Sequence, residues 1–158
     1  MNTYYLTVII IIAVIALIFI VIKLAFSILM FRENISKFSF DETQKKFESA
    51  VTEKGWKMPA VHDLKSIMEK NGKQGLLPVK VYEICKPDLA FALLSFDKAR
   101  FVSSMLPCRV AIYEKADGFV YISRMRTSLM ALLMSGLISR AMHKASGDVE
   151  DIIMNTMR

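Results

Sequence analysis

The amino-acid sequence predicts an α+β domain with an antiparallel sheet, carried behind a single N-terminal transmembrane helix. Three observations carry that prediction. No side chain between Met1 and Ile22 is charged, and residues 6–22 are almost unbroken Ile, Val, Leu, Ala and Phe. Residues 79–84 alternate with period two, as a half-buried strand does. Residues 109–114 and 119–123 are β-rich runs joined across Asp117-Gly118, a hairpin-turn signal.

The first segment organises the chain. A bilayer core of roughly 30 Å needs about 20 apolar residues in a helix. The run here is long enough, and Lys23 interrupts it only near its end before residues 24–31 resume it. A cleaved signal peptide needs a basic n-region and an apolar core of about 7–15 residues. This N-terminus has no Lys or Arg before Lys23 and a longer core, although Ala25-Phe26-Ser27 faintly resembles a cleavage site. The segment therefore reads as a retained anchor over residues 1–32, with the α+β domain at 33–158. Lys23, Arg32, Lys37, Lys45 and Lys46 all flank its C-terminal side. The positive-inside rule then places the domain in the cytoplasm, on an inner (cytoplasmic) membrane, with Met1 outside.

The elements follow in order. Ile35, Phe38 and Phe40 suggest a short strand. Asp41 with Gln44 three residues later looks like a capping box, opening a helix with Phe47, Ala50 and Val51 inward and a stop at Gly55. Trp56 and Met58 make a brief strand closed by Pro59. A second helix spans Val61 or Asp63 to Lys70, with Leu64, Ile67 and Met68 inward and Asn71-Gly72 as its end. Cys85-Lys86-Pro87 ends the strand at 79–84, and Pro87 with Asp88 starts a helix through Leu94. After the hairpin, residues 127–143 form a helix whose stretch 129–134 is apolar on every side, suited to a second subunit or the bilayer surface. Ser146-Gly147-Asp148 punctuates the chain before a last amphipathic helix at 149–157.

The net charge of +6 comes from scattered Lys and Arg that mostly alternate with acids, such as Lys45, Lys54, Lys65 and Lys73. That pattern describes a solvated face near anionic lipid rather than a nucleic-acid surface. There are two cysteines and no C-x-x-C or C-x-x-C-H, which excludes attached c-type haem, a zinc ribbon and an ordinary iron–sulfur cluster. No phosphate loop, G-x-G-x-x-G or nucleophile elbow occurs.

Ile84-Cys85-Lys86-Pro87, Ala90 and Leu94, Leu106-Pro107-Cys108-Arg109-Val110, Tyr113-Glu114 and Asp117-Gly118 together resemble the "domain of unknown function 302" family. The resemblance covers roughly residues 38–142, and the chain has Lys86 where that family usually has Asn. It implies a small two-layer α+β domain that tends to dimerise, and it implies no mechanism.

The chemistry-bearing candidates are few. Cys85 and Cys108 each sit where a strand meets a Pro-containing turn, and thiolates there could serve redox exchange or bind a soft transition metal. His62 could complete a three-ligand site with them, and the alternative is that the thiols pack as small hydrophobes. His143 could cap its helix or ligate haem. Of the 11 Met, six crowd the C-terminal third, and Met130 and Met134 at i, i+4 look like an adaptable packing surface. Lys98, Arg100, Arg109, Arg124 and Arg126 could form an anion site. The expectation from these features is a non-catalytic single-span accessory or structural subunit. It contacts membrane lipid, and it dimerises or docks on a larger membrane complex. The rival expectation is a redox or metal (or haem) protein using Cys85 and Cys108.

Overall fold

The computed structural model describes residues 3–158, with the side chains of residues 25, 27 and 28 outside that description. Met1 and the side chains of Ala25 and Ser27 in the cleavage-like motif therefore lie outside that description. The chain starts with helix α1 (Thr3–Met30) and passes directly into strand β1 (Phe31–Ser36). Then come α2 (Phe40–Glu53), β2 (Lys57–Asp63), α3 (Leu64–Lys70), β3 (Val79–Cys85) and α4 (Pro87–Leu94). A 3₁₀ helix (Asp97–Met105), β4 (Cys108–Glu114), β5 (Val120–Met125), α5 (Thr127–Leu132) and α6 (Gly136–Thr156) complete it.

α1 is the one helix among the described residues long and apolar enough to cross a membrane. Its span Thr3–Leu24 has mean hydropathy 3.4, and none of that span is buried in the domain. A helix of that composition with no core to enter is unlike the buried central helix of a soluble protein.

The strands form a five-stranded sheet in the order β1-β5-β4-β3-β2, with every pairing antiparallel. Alternation sorts side chains onto two faces. One face packs on α2 and α6: Tyr82, Ile84, Val110, Ile112, Val120 and Ile122 meet Phe47, Ala50 and Val51 of α2 and Val149, Ile152 and Ile153 of α6. A smaller cluster joins Leu93, Ala99 and Val102 to Ala141 at one end. The other face, called open below, carries the row His62, Val81, Ala111, Ser123 and Glu33, in register across all five strands. None of these residues enters either buried cluster.

The α+β architecture, the strand at 79–84, the hairpin and the helix from Pro87 stand as the residues predict. Several boundaries differ for physical reasons. β1 starts at Phe31, within what composition reads as the anchor. Phe40 belongs to α2, whose cap is Ser39: its hydroxyl accepts the Glu42 N–H at 3.3 Å, leaving Asp41 in the first turn where its charge suits the dipole. Pro59 does not close β2, because β2 is an edge strand with an irregular register between Lys57 and Ala60, where a missing N–H is tolerated. Asp63 caps α3, accepting the Ser66 N–H at 2.9 Å, but Ile67 and Met68 are exposed rather than inward. The C-terminal break falls at Leu133–Ser135, where Gly136 at φ +60° redirects the chain, and not at residues 146–148. α6 runs straight through those residues because Asp148 is buried and bonded, as described next.

Candidate functional site

β3 ends and β4 begins at the same end of the sheet, with Ile84 opposite Cys108. This register brings Cys85 and Cys108 together from their two separate turns. Both are free thiols, and both line an apolar pocket of about 50 Å³ with Leu89, Leu93, Val102 and Met142. Burial pushes both thiols up, Cys108 to about 11 with a further push from the neighbouring Cys85. A thiol so placed stays protonated near neutrality, and thiolate is the form that attacks disulfides or binds soft metals.

His62 does not join them. It lies on β2 opposite Val81, on the open face, while Cys108 shares the helix-covered face with Ile84. Its Nε2 is 3.3 Å from Glu83 Oε1, which also accepts from Arg109 Nη2 at 3.2 Å. Among the described residues no group of three or more His, Cys, Asp or Glu side chains converges. A transition metal or haem iron held here would rest on the two thiols alone, and each would have to give up its proton to bind it. His143 is exposed on α6.

Arg32, Arg100, Arg109 and Arg124 are paired with carboxylates. Arg124 projects from β5 onto the helix-covered face, where it is 4% exposed. It donates from Nε to Glu150 Oε1 at 3.0 Å, and also to Glu150 Oε2 and to Asn34 Oδ1. Arg32 Nη1 reaches Glu150 Oε2 at 3.2 Å, and Arg100 pairs with Asp97 at 3.3 Å. Arg109 and Arg124 do line a second cavity of about 250 Å³ beside Cys108, but Glu150 lines it with them. An anion entering there would displace a carboxylate already in place.

One buried hub is invisible to motif reading. Trp56 Nε1 donates to Asp148 Oδ2 at 3.2 Å, and Lys144 Nζ donates to Asp148 Oδ1 at 2.7 Å. Lys86 Nζ is 3.9 Å from the same carboxylate and donates to the Lys54 carbonyl at 2.8 Å. So the lysine at position 86 joins the turn before α4 to α6 and to the end of α2. Burial works to raise Asp148, yet the Lys144 and Trp56 hydrogen bonds and the two ammonium charges outweigh it and hold the carboxyl below its usual range. The signal was present: Lys144 and Asp148 stand at i, i+4, and Asp148 precedes Val149, Ile152 and Ile153 on the buried side. Arg124 was legible likewise, since it extends the buried alternation of Val120 and Ile122.

The open face has its own cluster. Tyr113 and Tyr121 stack with centroids 5.9 Å apart, and Lys115 Nζ sits 3.8 Å from the Tyr121 centroid. Lys115 also pairs with Glu33 at 2.7 Å, Tyr113 donates to Glu33, and the Tyr121 hydroxyl donates to Asp117 at 2.6 Å. Burial and then the Glu33 bond push Tyr113 up to about 12. The Asp117 bond and then burial do the same to Tyr121, also to about 12.

An antiparallel sheet with two helices on one face, led by an apolar helix and holding a thiol-lined apolar pocket, defines a two-layer α+β domain behind a candidate membrane span. A family model for the domain of unknown function DUF302 matches residues 32–157, so the chain belongs to that family. The match reaches beyond residues 38–142, taking in β1 and the whole of α6. A crystal structure of an uncharacterized conserved protein DUF302 from Bacillus stearothermophilus superposes with TM-score 0.73 at 15% identity, covering 82% of this chain and 99% of that one. At that identity the likeness concerns the fold. No curated protein matches.

Proposed function

We propose that this protein is a non-catalytic membrane-anchored subunit whose domain pairs with a second copy through the open face of its sheet. The carrying observation is that face. Its row His62, Val81, Ala111, Ser123 and Glu33 crosses all five strands outside the buried clusters. Its charges are balanced within the chain, Glu33 with Lys115 and Glu83 with Arg109, so two such faces meet without net repulsion. Two copies anchored in one membrane by α1, with their domains on the cytoplasmic side, present such faces to each other without loss of the anchor. The non-catalytic part of the reading is supported by the polar groups beside the pocket. The thiols are held protonated, and Arg124, Glu150 and Asp148 are already engaged.

The test is the mass of full-length protein in lipid nanodiscs and in mild detergent, by light scattering after size-exclusion chromatography. A dimer is expected, and Ala111→Arg at the centre of the row is expected to give monomers with an unchanged unfolding midpoint. Wild-type monomers at tens of micromolar would overturn the reading. A second reading, soft-metal or haem chemistry at Cys85 and Cys108, has one observation behind it: both thiols line one pocket. Elemental analysis with an absorption spectrum of gently extracted protein tests it, and a stoichiometric metal lost on changing both cysteines to Ser would establish it.

A further inference from the structure

The two ends of the sheet differ. Phe31 opposite Met125, Val110 opposite Arg124 and Ile84 opposite Cys108 put the start of β1, the end of β5, the start of β4 and the end of β3 at one end. α1 arrives at that same end. The Arg126 N–H donates to the Met30 carbonyl at 2.7 Å, tying the β5–α5 corner to the last turn of α1.

Three further elements adjoin this end: α4, the 3₁₀ helix and α5 with the corner after it. Their outward residues are large and apolar. Phe91 is 74% exposed, Phe101 63%, Leu132 70% and Leu133 86%, and Phe96, Phe31 and Met125 are exposed as well. Single exposed hydrophobics are ordinary, but a group gathered at one end marks a contact surface. Charge agrees with the same occupant: α4, the 3₁₀ helix, the α5 corner and the start of α6 carry Lys98, Arg100, Arg126 and Arg140 against Asp88 and Asp97, a basic excess of two. Length adds a third argument. α1 has 28 residues, about 42 Å at the helical rise. A bilayer with its headgroups measures about 40–45 Å, so Met30 emerges at headgroup level.

We propose that this end of the domain is a second membrane contact. The Leu132-Leu133 corner and the rings of Phe91, Phe96 and Phe101 sit in the interfacial layer of the bilayer that α1 crosses, with Arg126 and Arg140 on anionic headgroups. The proposal rests on the reading of α1 as a membrane span, and the test separates the two.

Full-length protein is placed in nanodiscs of phosphatidylcholine and phosphatidylglycerol whose acyl chains are brominated or plain. Tryptophan reporters, introduced one at a time, are Leu133→Trp and Phe101→Trp at the proposed contact, Phe19→Trp inside α1, and Phe119→Trp in the hairpin turn at the far end. The native Trp56 is 3% exposed and supplies a constant background. After the parent's emission is subtracted, at least twofold lower reporter emission in brominated discs is expected at positions 133, 101 and 19, and no loss at position 119. Quenching at 19 without quenching at 133 and 101 leaves the span standing and overturns the second contact, returning that surface to a protein partner. No quenching at 19 overturns both.

Discussion

The two faces of the sheet use polar residues in opposite ways. On the helix-covered face, polar groups are few, buried and fully paired: Arg124 with Glu150, Asp148 with Trp56 and Lys144, Ser36 Oγ at 2.8 Å from Thr43 Oγ1, and the Tyr82 hydroxyl donating to Gln44 Oε1 at 3.1 Å. They are set among the apolar side chains that supply the burial. On the open face, the Glu33–Lys115 pair is partly exposed, where an ion pair contributes at most about 1 kcal/mol, and it lies beside the stacked rings of Tyr113 and the buried Tyr121. The difference teaches that the fold is held from one side. The other side carries a partly exposed polar network whose share in stability is smaller.

The largest effect should come from the covered face. Phe47 is fully buried and meets Tyr82 edge to face at 5.1 Å. Phe47→Ala should cost about 3–5 kcal/mol, whereas Tyr113→Ala on the open face should cost about 1 kcal/mol or less. Denaturant unfolding of full-length protein in micelles, followed by Trp56 fluorescence, gives both values. Equal losses would erase the distinction between the faces.

Next is the ion pair. Glu150→Ala leaves the Arg124 guanidinium buried with Asn34 and the Arg32 carbonyl as its remaining partners. Removing one partner of a fully buried pair costs about 3–5 kcal/mol, and because the Glu150 side chain is 30% exposed the loss here should be about 2 kcal/mol. A loss of only a few tenths in the same unfolding experiment would show that solvent reaches Arg124.

A smaller effect concerns acid. Asp148 is held below its ordinary range in the folded protein, so its contribution is present above the unfolded carboxyl value and disappears as pH falls through the folded one. Thermal unfolding of the wild type should therefore drop steeply below about pH 4. Asp148→Asn should start lower and show a flatter acid limb. Parallel limbs would assign the acid sensitivity elsewhere.

The smallest effect lies on the open face at high pH. Tyr113 and Tyr121 are raised to about 12, so what they contribute is complete below the ordinary phenol value near 10 and fades as pH climbs through 12. Tyr121→Phe should soften that alkaline limb while leaving the midpoint at neutral pH in place. Ultraviolet titration of tyrosinate gives the matching transition, and an ordinary phenol titration in the folded protein would remove the basis of this prediction.

The sequence exposed whatever obeyed a simple period or a turn rule. β3 alternates cleanly, Asp117-Gly118 supplies the φ of +80° that the hairpin needs at Gly118, and Pro87 opens α4. The strand expected around Ile35, Phe38 and Phe40 starts earlier, at Phe31, because the pattern of β1 is inverted. Its inward residues Arg32, Asn34 and Ser36 are polar and meet Glu150, Arg124 and Thr43, while its outward Phe31 and Ile35 are apolar. α6 was hidden because Ser146 and Gly147 resemble a break, while the bonds that hold Asp148 inward come from residues up to 92 positions away. Of the candidate ligands, the thiol pair followed from its two turns. The separation of His62 depended on strand order, which no local pattern carries.

Met30 ends α1 and Phe31 begins β1 with no residue between them. A flexible linker would spread a domain over about 5–6 Å times the square root of its length, and here that length is zero. In a bilayer the domain then stands on a stiff mast instead of swinging on a tether. It cannot move far from the bilayer surface, so meetings with anything else in the membrane become a problem in two dimensions. Copies per unit area of membrane, rather than per unit volume of cell, would set how often two of these molecules meet.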